Sequence, residues 1–501
     1  MKNNIFKDLY VLDLANNHFG DVSHAKKIIT SFGKIANKKK LNCTIKFQLR
    51  NYETYIHKKY LNSDNHYVKR FMDTKLSIIQ FKDLFDSVKR NKLLTSCTPF
   101  DEESIDVIEK FKFDFLKIAS VSSNDFSLLR RAVKNKIPKI ISTGGLNFNQ
   151  IDKIVRLMTK YKQKFALMHC VAIYPSANQD LQLSVIKELK KRFPNIDIGW
   201  STHEEPTFLL PSSIAITSGA TILERHIGIT NKKYKLNKYS MTPEIFNNWV
   251  DNIEKTKIVL GPDEKKISLK ERITLKTLQR GVYAKDDIKK GSILSNKNSY
   301  LAFPLNNNQL SAQDLQKKAI LKKTIKKDSS IEIKNVQNDT LVMNDLQIWS
   351  YIHEVKAILN YNKISIGDNF NMEISHHHGI KKFRKVGAFL FNIINKEYAK
   401  KIIVMLPSQK HPNHSHKKKS ESFYIISGEL NLKMGGKMYK LLPGQTIDVK
   451  KNMQHEFKAG KLGCIFDEIS TTSFNHDSFY IDKKIKNISR SERKTFVNSW
   501  C

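Results

Sequence analysis

The sequence lacks the features that would place the chain in a membrane or outside the cell. No run of about 18 consecutive apolar residues is present, so no membrane-spanning helix is predicted. The N-terminal segment has neither an apolar core nor a small-residue cleavage site, so no secretory signal is predicted. The 5 cysteines are scattered and form no CxxC pair, which favours a reducing compartment over a disulfide framework. We therefore expect a cytoplasmic protein with no membrane partner.

Acidic residues are few relative to basic ones. The chain has 48 Asp and Glu against 86 Lys and Arg, which gives a formal net charge of +38. Nucleic-acid-binding proteins typically concentrate arginine and aromatic side chains on one element, whereas the basic residues here are mostly lysines in short runs such as 38–40 and 417–419. This pattern predicts a lysine-rich surface that attracts anionic substrates, and no specific nucleic-acid partner is expected.

The hydrophobic pattern indicates several globular domains, the first of them over residues 1–262. The chain of 501 residues is too long for one core, and its 40% hydrophobic and 27% charged content is ordinary for globular proteins. Short apolar runs alternate with amphipathic helical segments, which predicts an α/β fold, a (β/α)₈ TIM barrel with its reacting residues at the carboxyl ends of the strands. The apolar runs are 10–15, 44–49, 93–100, 115–120, 139–144, 165–170, 197–202 and 221–228.

The last of these runs, "ILERHIGI", contains three consecutive ionisable residues, Glu224, Arg225 and His226. Charged groups in a buried strand are costly unless they are paired or used. Either the strand lies at a solvated edge, or its end belongs to a site. The other apolar runs also end in polar residues, and such ends converge in a barrel, so we favour the site.

The C-terminal third contains a spacing typical of a metal site. After a small β-rich unit predicted at 272–338, a third unit at 345–501 has an all-β pattern. His414 and His416, two residues apart, face the same side of a strand. With Glu421 and His455 they form a mixed nitrogen and oxygen ligand set suited to a divalent Mn, Fe, Ni or Zn ion. The alternative is that these are solvated histidines on a basic loop.

Residues 370–500 resemble cupin-type sugar isomerases. The resemblance lies in "NKEYAKKIIVMLPSQKHPNHSHKKKSESFYIISGEL" and "DEISTTSFNHDSFYIDKKI". It implies a cupin (double-stranded β-helix) domain with a sugar isomerase or epimerase activity. Glu468 and the run His376–His378 are candidates for moving the proton, although such a run is more often a solvated loop.

Residues 1–335 resemble the sialic acid synthase family. The matching segments are "NNHFGD", "KFQ", "TPFDEES", "LKIAS", "STGG", "LMHCVAIYPS", "IGWSTH" and "LERHIG", and "VYAKDDIKKGSIL" is similar to the start of the family's antifreeze-like (SAF) domain. The resemblance implies a barrel that condenses phosphoenolpyruvate with an aldose to give a nonulosonic acid, using a divalent metal such as Mn²⁺. It also implies a homodimer in which each antifreeze-like domain caps the barrel of the partner.

The resemblance also assigns roles to individual residues. His203 and His226 match the metal ligands, with Glu224 and Arg225 expected to pair beside them, and Asp13 stands at the position of the catalytic glutamate. The substrate-binding positions are Lys46, Gln48, Thr98, Lys117, Ser120, Ser142, Tyr174 and Ser201.

Several positions depart from the family pattern, one at the catalytic glutamate and the others where the sugar is expected to bind. Asp13 is one methylene shorter than the family's glutamate. The positions expected to bind phosphoenolpyruvate are retained, whereas those expected to bind the sugar differ from the family. This combination predicts either an altered aldose substrate or a catalytically altered or inactive member that binds sugar or has a regulatory role. The sugar-side departures are Ser122, Ala172, Thr202, Asn237 and Phe303.

Overall fold

The computed structural model describes residues 4–338, 340–367 and 370–500. The chain divides into two compact units, with the boundary between Lys265 and Lys266. Among the described residues, no helix is both long enough and apolar enough to cross a membrane.

The first unit is a closed barrel of parallel strands in which each strand pairs with the next and the eighth pairs with the first. This confirms the predicted barrel. At the closure, Asp13 lies in register with His226 of the last strand and with Lys46 of the second. The strands are β1 (Leu9–Asp13), β2 (Asn42–Leu49), β3 (Leu94–Pro99), β4 (Phe115–Ile118), β5 (Lys139–Ser142), β6 (Phe165–Cys170), β7 (Asp197–Ser201) and β8 (Ile222–His226).

Most of the barrel helices bury one apolar face, whereas those at Tyr52–Tyr55 and His66–Asp73 have no buried residue. The first helix of the barrel begins where the Asp21 side chain accepts a hydrogen bond from the His24 backbone N–H, and it buries Ile28, Phe32 and Ala36 at helical spacing against the strands. The helices are α1 (Val22–Lys38), α2 (Tyr52–Tyr55), α3 (His66–Asp73), α4 (Ile78–Arg90), α5 (Glu102–Phe111), α6 (Phe126–Ala132), α7 (Phe148–Lys160), α8 (Val185–Arg192), α9 (Leu210–Thr217) and α10 (Pro243–Leu260).

Lys139, at the start of β5, is a buried lysine held by neutral acceptors. Its Nζ donates to the Asn135 backbone oxygen at 2.8 Å and to Gln163 Oε1 at 2.6 Å. Burial, with a smaller contribution from Lys136, lowers the pKa of Lys139 from 10.5 to about 7. Between pH 7 and 10.5 the unfolded chain therefore binds a proton that the folded chain does not, so the free energy of unfolding rises with pH in that window.

A Lys139→Met variant should lose this pH dependence. We expect the difference in unfolding free energy between the wild type and the variant to increase in favour of the wild type between pH 7 and pH 10. The increase should be about 1 kcal/mol per pH unit at most. Urea unfolding at unit steps of pH measures the difference. Equal slopes for the two proteins would show that Lys139 stays protonated in the folded state.

The second unit begins with a helix and four short strands. Its small core includes Val282, Leu294, Leu310 and Leu321. β9 pairs with β10 and β11 pairs with β12, both antiparallel. The elements are α11 (Leu269–Thr277), β9 (Gly281–Ala284), β10 (Ser299–Ala302), β11 (Ala319–Leu321) and β12 (Val336–Asn338).

The rest of the second unit is an antiparallel 10-stranded sheet preceded by a long helix, α12 (Thr340–Tyr361). The β-rich C-terminal region is confirmed. The all-β pattern expected from residue 345 is wrong for residues 345–361, which belong to α12. Ile352, Val355 and Leu359 of α12 pack into the same core as Phe389 and Phe391. The strands and the last helix are β13 (Met372–Ser375), β14 (Ala388–Asn395), β15 (Tyr398–Met405), β16 (Lys410–Ser415), β17 (Glu421–Met434), β18 (Lys437–Leu441), β19 (Thr446–Val449), β20 (His455–Thr471), β21 (Phe479–Tyr480), α13 (Lys483–Lys486) and β22 (Lys494–Val497).

Candidate functional site

A cavity lies at the carboxyl ends of the barrel strands, and every residue to which the sequence assigned a catalytic, substrate-binding or metal-binding role in the barrel lines it. Eight of these residues are on strands, where alternate side chains face the barrel interior, and Ser120, Tyr174 and His203 are on the loops that follow β4, β6 and β7. The selected lining residues are Asp13, Lys46, Gln48, Thr98, Lys117, Ser120, Ser142, Tyr174, Ser201, His203 and His226.

The floor of the cavity carries two lysines and two carboxylates. Lys46 Nζ lies 2.9 Å from Asp13 Oδ2 and 2.7 Å from Glu224 Oε1, and Lys117 Nζ lies 3.4 Å from Glu224 Oε2. Lys117 also donates to the Ser142 hydroxyl. Burial opposes charge on Glu224, but Lys117 and Lys46 outweigh it and hold the pKa of Glu224 below its usual range. Glu224 is thus ionised, although burial lowers the pKa of Lys117. We call these two lysines and two carboxylates the ionised floor.

Arg225 faces away from this floor. Neighbouring residues of a strand point to opposite sides, so Glu224 and His226 enter the barrel while Arg225 packs outside it. Arg225 pairs there with Glu204, and both side chains are buried. The expected pair between Glu224 and Arg225 is therefore wrong, and the partner of Glu224 is Lys46.

His203 and His226 lie side by side, with ring centroids 5.3 Å apart. Burial, then mutual repulsion, lowers the pKa of His203 to about 3, and burial also lowers the pKa of His226, so both imidazoles are neutral at pH 7. His203 Nδ1 lies 3.1 Å from the Val171 oxygen, which leaves Nε2 as a free lone pair. The buried Nδ1 of His226 has no hydrogen-bond partner. Neutral imidazoles with free nitrogens fit a divalent metal.

Hydroxyl groups line the wall beside the lysines. Thr98 Oγ1 is buried without a hydrogen-bond partner, so it is available to a ligand. At Gly144 a Cβ would lie 2.5 Å from Ser120 Oγ, so glycine there leaves room for that hydroxyl. Of the five sugar-side positions that depart from the family pattern, Ala172 and Asn237 line the cavity. Ser122 and Thr202 are buried and do not line it, and Phe303, in the second unit, is exposed.

The sequence selection missed Arg50, Arg70 and Tyr239, which also line the cavity. Arg50 could have been found, because it continues the interior-facing alternation of Lys46 and Gln48. Arg70 and Tyr239 lie outside the barrel strands, and no strand pattern places them.

The second unit contains a cluster of three buried histidines, His414, His416 and His455. Among the described residues, this is the only group of three His, Cys, Asp or Glu whose ligand atoms lie within 4.8 Å of one another. Glu421 joins them, with its oxygens 3.3 Å from His416 Nε2 and 3.4 Å from His455 Nε2.

The hydrogen bonds around this cluster leave its metal-binding atoms free. The Nδ1 atoms of His414, His416 and His455 lie 2.9, 2.6 and 3.0 Å from backbone carbonyl oxygens, so each Nε2 keeps a lone pair. Burial lowers the pKa of all three. His455 Nε2 and Glu421 Oε2 are buried and make no hydrogen bond. The donor set fits a divalent metal, as expected from the spacing.

Charged side chains border this cluster. Lys419 contacts Glu421 and lies 2.7 Å from Glu468, which Lys401 approaches at 3.1 Å. Burial opposes charge on Glu468, but these lysines outweigh it and hold its pKa well below the usual range. Both glutamates line one pocket with His414 and His416.

The run His376–His378 is not a solvated loop. His376 and His377 are buried, the first contacting Thr495 at 2.9 Å and the second contacting His411 at 3.2 Å. None of the three lines the pocket.

Comparisons with known proteins match both units. The model of the NeuB family matches residues 34–265, and the model of the cupin domain matches residues 401–461. An N,N'-diacetyllegionaminic acid synthase of Campylobacter jejuni is 27% identical over 60% of this chain and 91% of its own. An N-acetylneuraminate-9-phosphate synthase of Drosophila melanogaster is 30% identical over 51% of this chain and 70% of its own.

A solved structure is also similar. A Chromobacterium violaceum protein described as spore coat polysaccharide biosynthesis protein E is 34% identical, with a TM-score of 0.63. The match covers 66% of this chain and 100% of that chain.

Proposed function

Because the chain belongs to the NeuB family, we propose that its barrel condenses phosphoenolpyruvate with an aldose to give a nonulosonic acid. The observation that carries the proposal is the convergence of the selected polar side chains on one cavity with an ionised floor. Relatives named as legionaminic, pseudaminic and N-acetylneuraminate-9-phosphate synthases support it. The enzyme would act in the cytoplasm, in the biosynthesis of a surface glycan.

The residues of the floor have distinct tasks in this reaction. Lys46 and Lys117 hold the carboxylate and phosphate of phosphoenolpyruvate, and the hydroxyls of Thr98, Ser120 and Ser142 orient it. Gln48, Tyr174 and Ser201 complete the substrate contacts.

A carbon–carbon bond forms between C3 of phosphoenolpyruvate and the aldehyde carbon, water then adds at C2, and phosphate leaves. Asp13 accepts a hydrogen bond from the Ala15 N–H at 2.9 Å, so its carboxylate is fixed in place to orient that water or receive its proton. His203 and His226 would hold a divalent ion such as Mn²⁺, which supplies Lewis-acid polarisation of the aldehyde.

Purified protein incubated with phosphoenolpyruvate, Mn²⁺ and a panel of aldoses tests this proposal through release of inorganic phosphate. Aldose-dependent release supports it. No release with any aldose, although calorimetry shows that phosphoenolpyruvate binds, favours the second candidate, a sugar-binding or regulatory member. Ala172 and Asn237 in the cavity are the observations that favour that candidate.

For the second unit we propose a metal-dependent sugar isomerase or epimerase. The ion would be held by His414, His416, Glu421 and His455, and it would hold adjacent sugar oxygens. The ionised Glu468 lies in the same pocket and is the base that takes the proton from carbon. Interconversion of an aldose and a ketose by the metal-loaded full chain supports this activity, and metal binding without turnover leaves a binding module.

We also propose a homodimer in which residues 272–338, as an antifreeze-like domain, cap the partner's barrel. The support is the family resemblance of that segment. Light scattering of the purified chain at micromolar concentration decides between monomer and dimer.

A further inference from the structure

Arg50 directly follows β2, nearer the mouth of the barrel than the ionised floor. Lys46 and Gln48 of β2 and Arg50 after it are alternate residues, and all three line the cavity. At about 3.3 Å per residue of extended chain, the Cα of Arg50 lies up to about 13 Å from that of Lys46. A ligand group that reaches Arg50 therefore belongs to the part of the substrates far from the floor.

The guanidinium of Arg50 is buried against aromatic rings. The side chain is only 8% exposed, and its guanidinium carbon lies 3.6 Å from the ring centroid of Phe100 and 4.2 Å from that of Phe71. One Nη2 hydrogen is donated to Gln48 Oε1 at 3.2 Å. The Tyr55 hydroxyl is another side-chain partner. The remaining N–H donors of the planar group are available to a ligand in the cavity that Arg50 lines.

No carboxylate neutralises this guanidinium among the residues that the structure describes. Its buried Nε has no hydrogen-bond partner. Asp101 is an acidic neighbour that influences it, but the Asp101 oxygens accept from the backbone N–H groups of Asn51 at 2.7 Å and Ser104 at 2.8 Å. A buried cation without a counter-ion is costly, and cation–π contacts offset only part of that cost.

We propose that the aldose carries an anionic group, a phosphate or a carboxylate, at the end away from its aldehyde, and that Arg50 binds this group. The planar donors of arginine match both anions in a two-bond geometry. Phosphoenolpyruvate occupies the lysines of the floor, so the anion at Arg50 comes from the second substrate. The inference rests on the proposed synthase function and deepens it by naming the substrate class.

The test compares three aldoses that differ only at carbon 6: N-acetylmannosamine, its 6-phosphate and the corresponding uronate. Each is assayed for phosphate release by the wild type and by Arg50→Met, which keeps an apolar stem between Phe71 and Phe100 but removes the charge. We expect the wild type to prefer one anionic aldose, and the variant to lose about tenfold to a hundredfold in kcat/KM on it. The loss on the neutral aldose should be smaller than on the preferred anionic one. The preferred anion shows which of the two groups is recognised.

Arg50→Lys separates charge from stacking, because lysine keeps the charge without the planar fork. A smaller loss with Arg50→Lys than with Arg50→Met supports an anion site. Equal losses on neutral and anionic aldoses, or a raised KM for phosphoenolpyruvate alone, overturn the inference and leave the synthase function standing.

A wild type that turns over none of the three aldoses counts against the synthase function. Thermal melting with the sugar phosphate and the uronate then decides the inference by itself. Stabilisation by one of them that disappears in Arg50→Met supports it, and unchanged stabilisation overturns it.

Discussion

Replacing Lys46 with methionine is expected to lower kcat/KM for phosphoenolpyruvate about 10³-fold. Lys46 neutralises both Asp13 and Glu224, at 2.9 and 2.7 Å. Without it, the floor becomes more negative, and this charge repels a substrate that is itself an anion. Steady-state phosphate release with the best aldose of the panel measures the effect.

Lys139→Met is the matched control for this variant. Lys139 is another buried strand lysine of the barrel, but it does not line the cavity. We expect its activity to stay within about twofold of the wild type, because surface or structural sites away from the cavity rarely change turnover.

Removal of Lys46 leaves the buried Asp13 without a lysine partner and Glu224 with Lys117 alone. Breaking a buried ion pair in this way costs about 3–5 kcal/mol, so circular dichroism must show that the variant is folded. If Lys46→Met is not folded, Lys46→Arg, which keeps the charge, replaces it in the assay. A folded Lys46→Met variant with more than a tenth of the wild-type activity would show that this lysine does not bind phosphoenolpyruvate.

The second large effect concerns metal content. We expect the full chain, loaded with divalent metal and then dialysed, to retain about one tightly held ion, and His416→Gln to lose it. Loss of even a supporting contact lowers metal affinity about 10- to 100-fold, and His416 is itself a donor whose Nδ1 is fixed at 2.6 Å from a backbone oxygen. Elemental analysis of the dialysed protein measures the ratio of metal to chain.

Two controls identify the site that holds this ion. His378→Gln should retain it, since His378 lies outside the pocket, 3.7 Å from Asp482. His203→Gln should also retain it, because the proposed barrel site has two imidazole ligands, whereas the cluster in the second unit has three. Retention of the ion by His416→Gln, or its loss from His203→Gln, would place the tight site elsewhere.

Much of the barrel and of its cavity could be predicted from the sequence because strand and helix patterns are local. The carboxyl ends of parallel strands converge whatever the loops do, so Asp13, Thr98 and His203 could be placed together without knowing any distance. The error at Glu224 and Arg225 came from pairing neighbours in sequence, although strand alternation already separates them to opposite faces.

One element was missed although its signal is local, and another feature depends on tertiary structure. The missed element is the helix α12, which buries Tyr351, Ile352, Val355 and Leu359 at a helical spacing that was available in the sequence. Its β-branched residues and the strands that follow it obscured that signal. The burial of His376 and His377 depends on partners more than 30 residues away, at His411 and Thr495, and no local pattern contains that information.

The ionised floor also has a consequence for how the protein is made. Lys46 and Asp13 belong to the first two strands, whereas Glu224 belongs to the last, 178 residues after Lys46. On a growing chain Asp13 and Lys46 are synthesised long before Glu224, the second carboxylate that pairs with Lys46, and β8 brings Glu224 and His226 to them only when it pairs with β1. Closure of the barrel and assembly of the site are therefore one event. A nascent chain stalled before residue 222 has most of the barrel strands but cannot hold either substrate in the proposed arrangement.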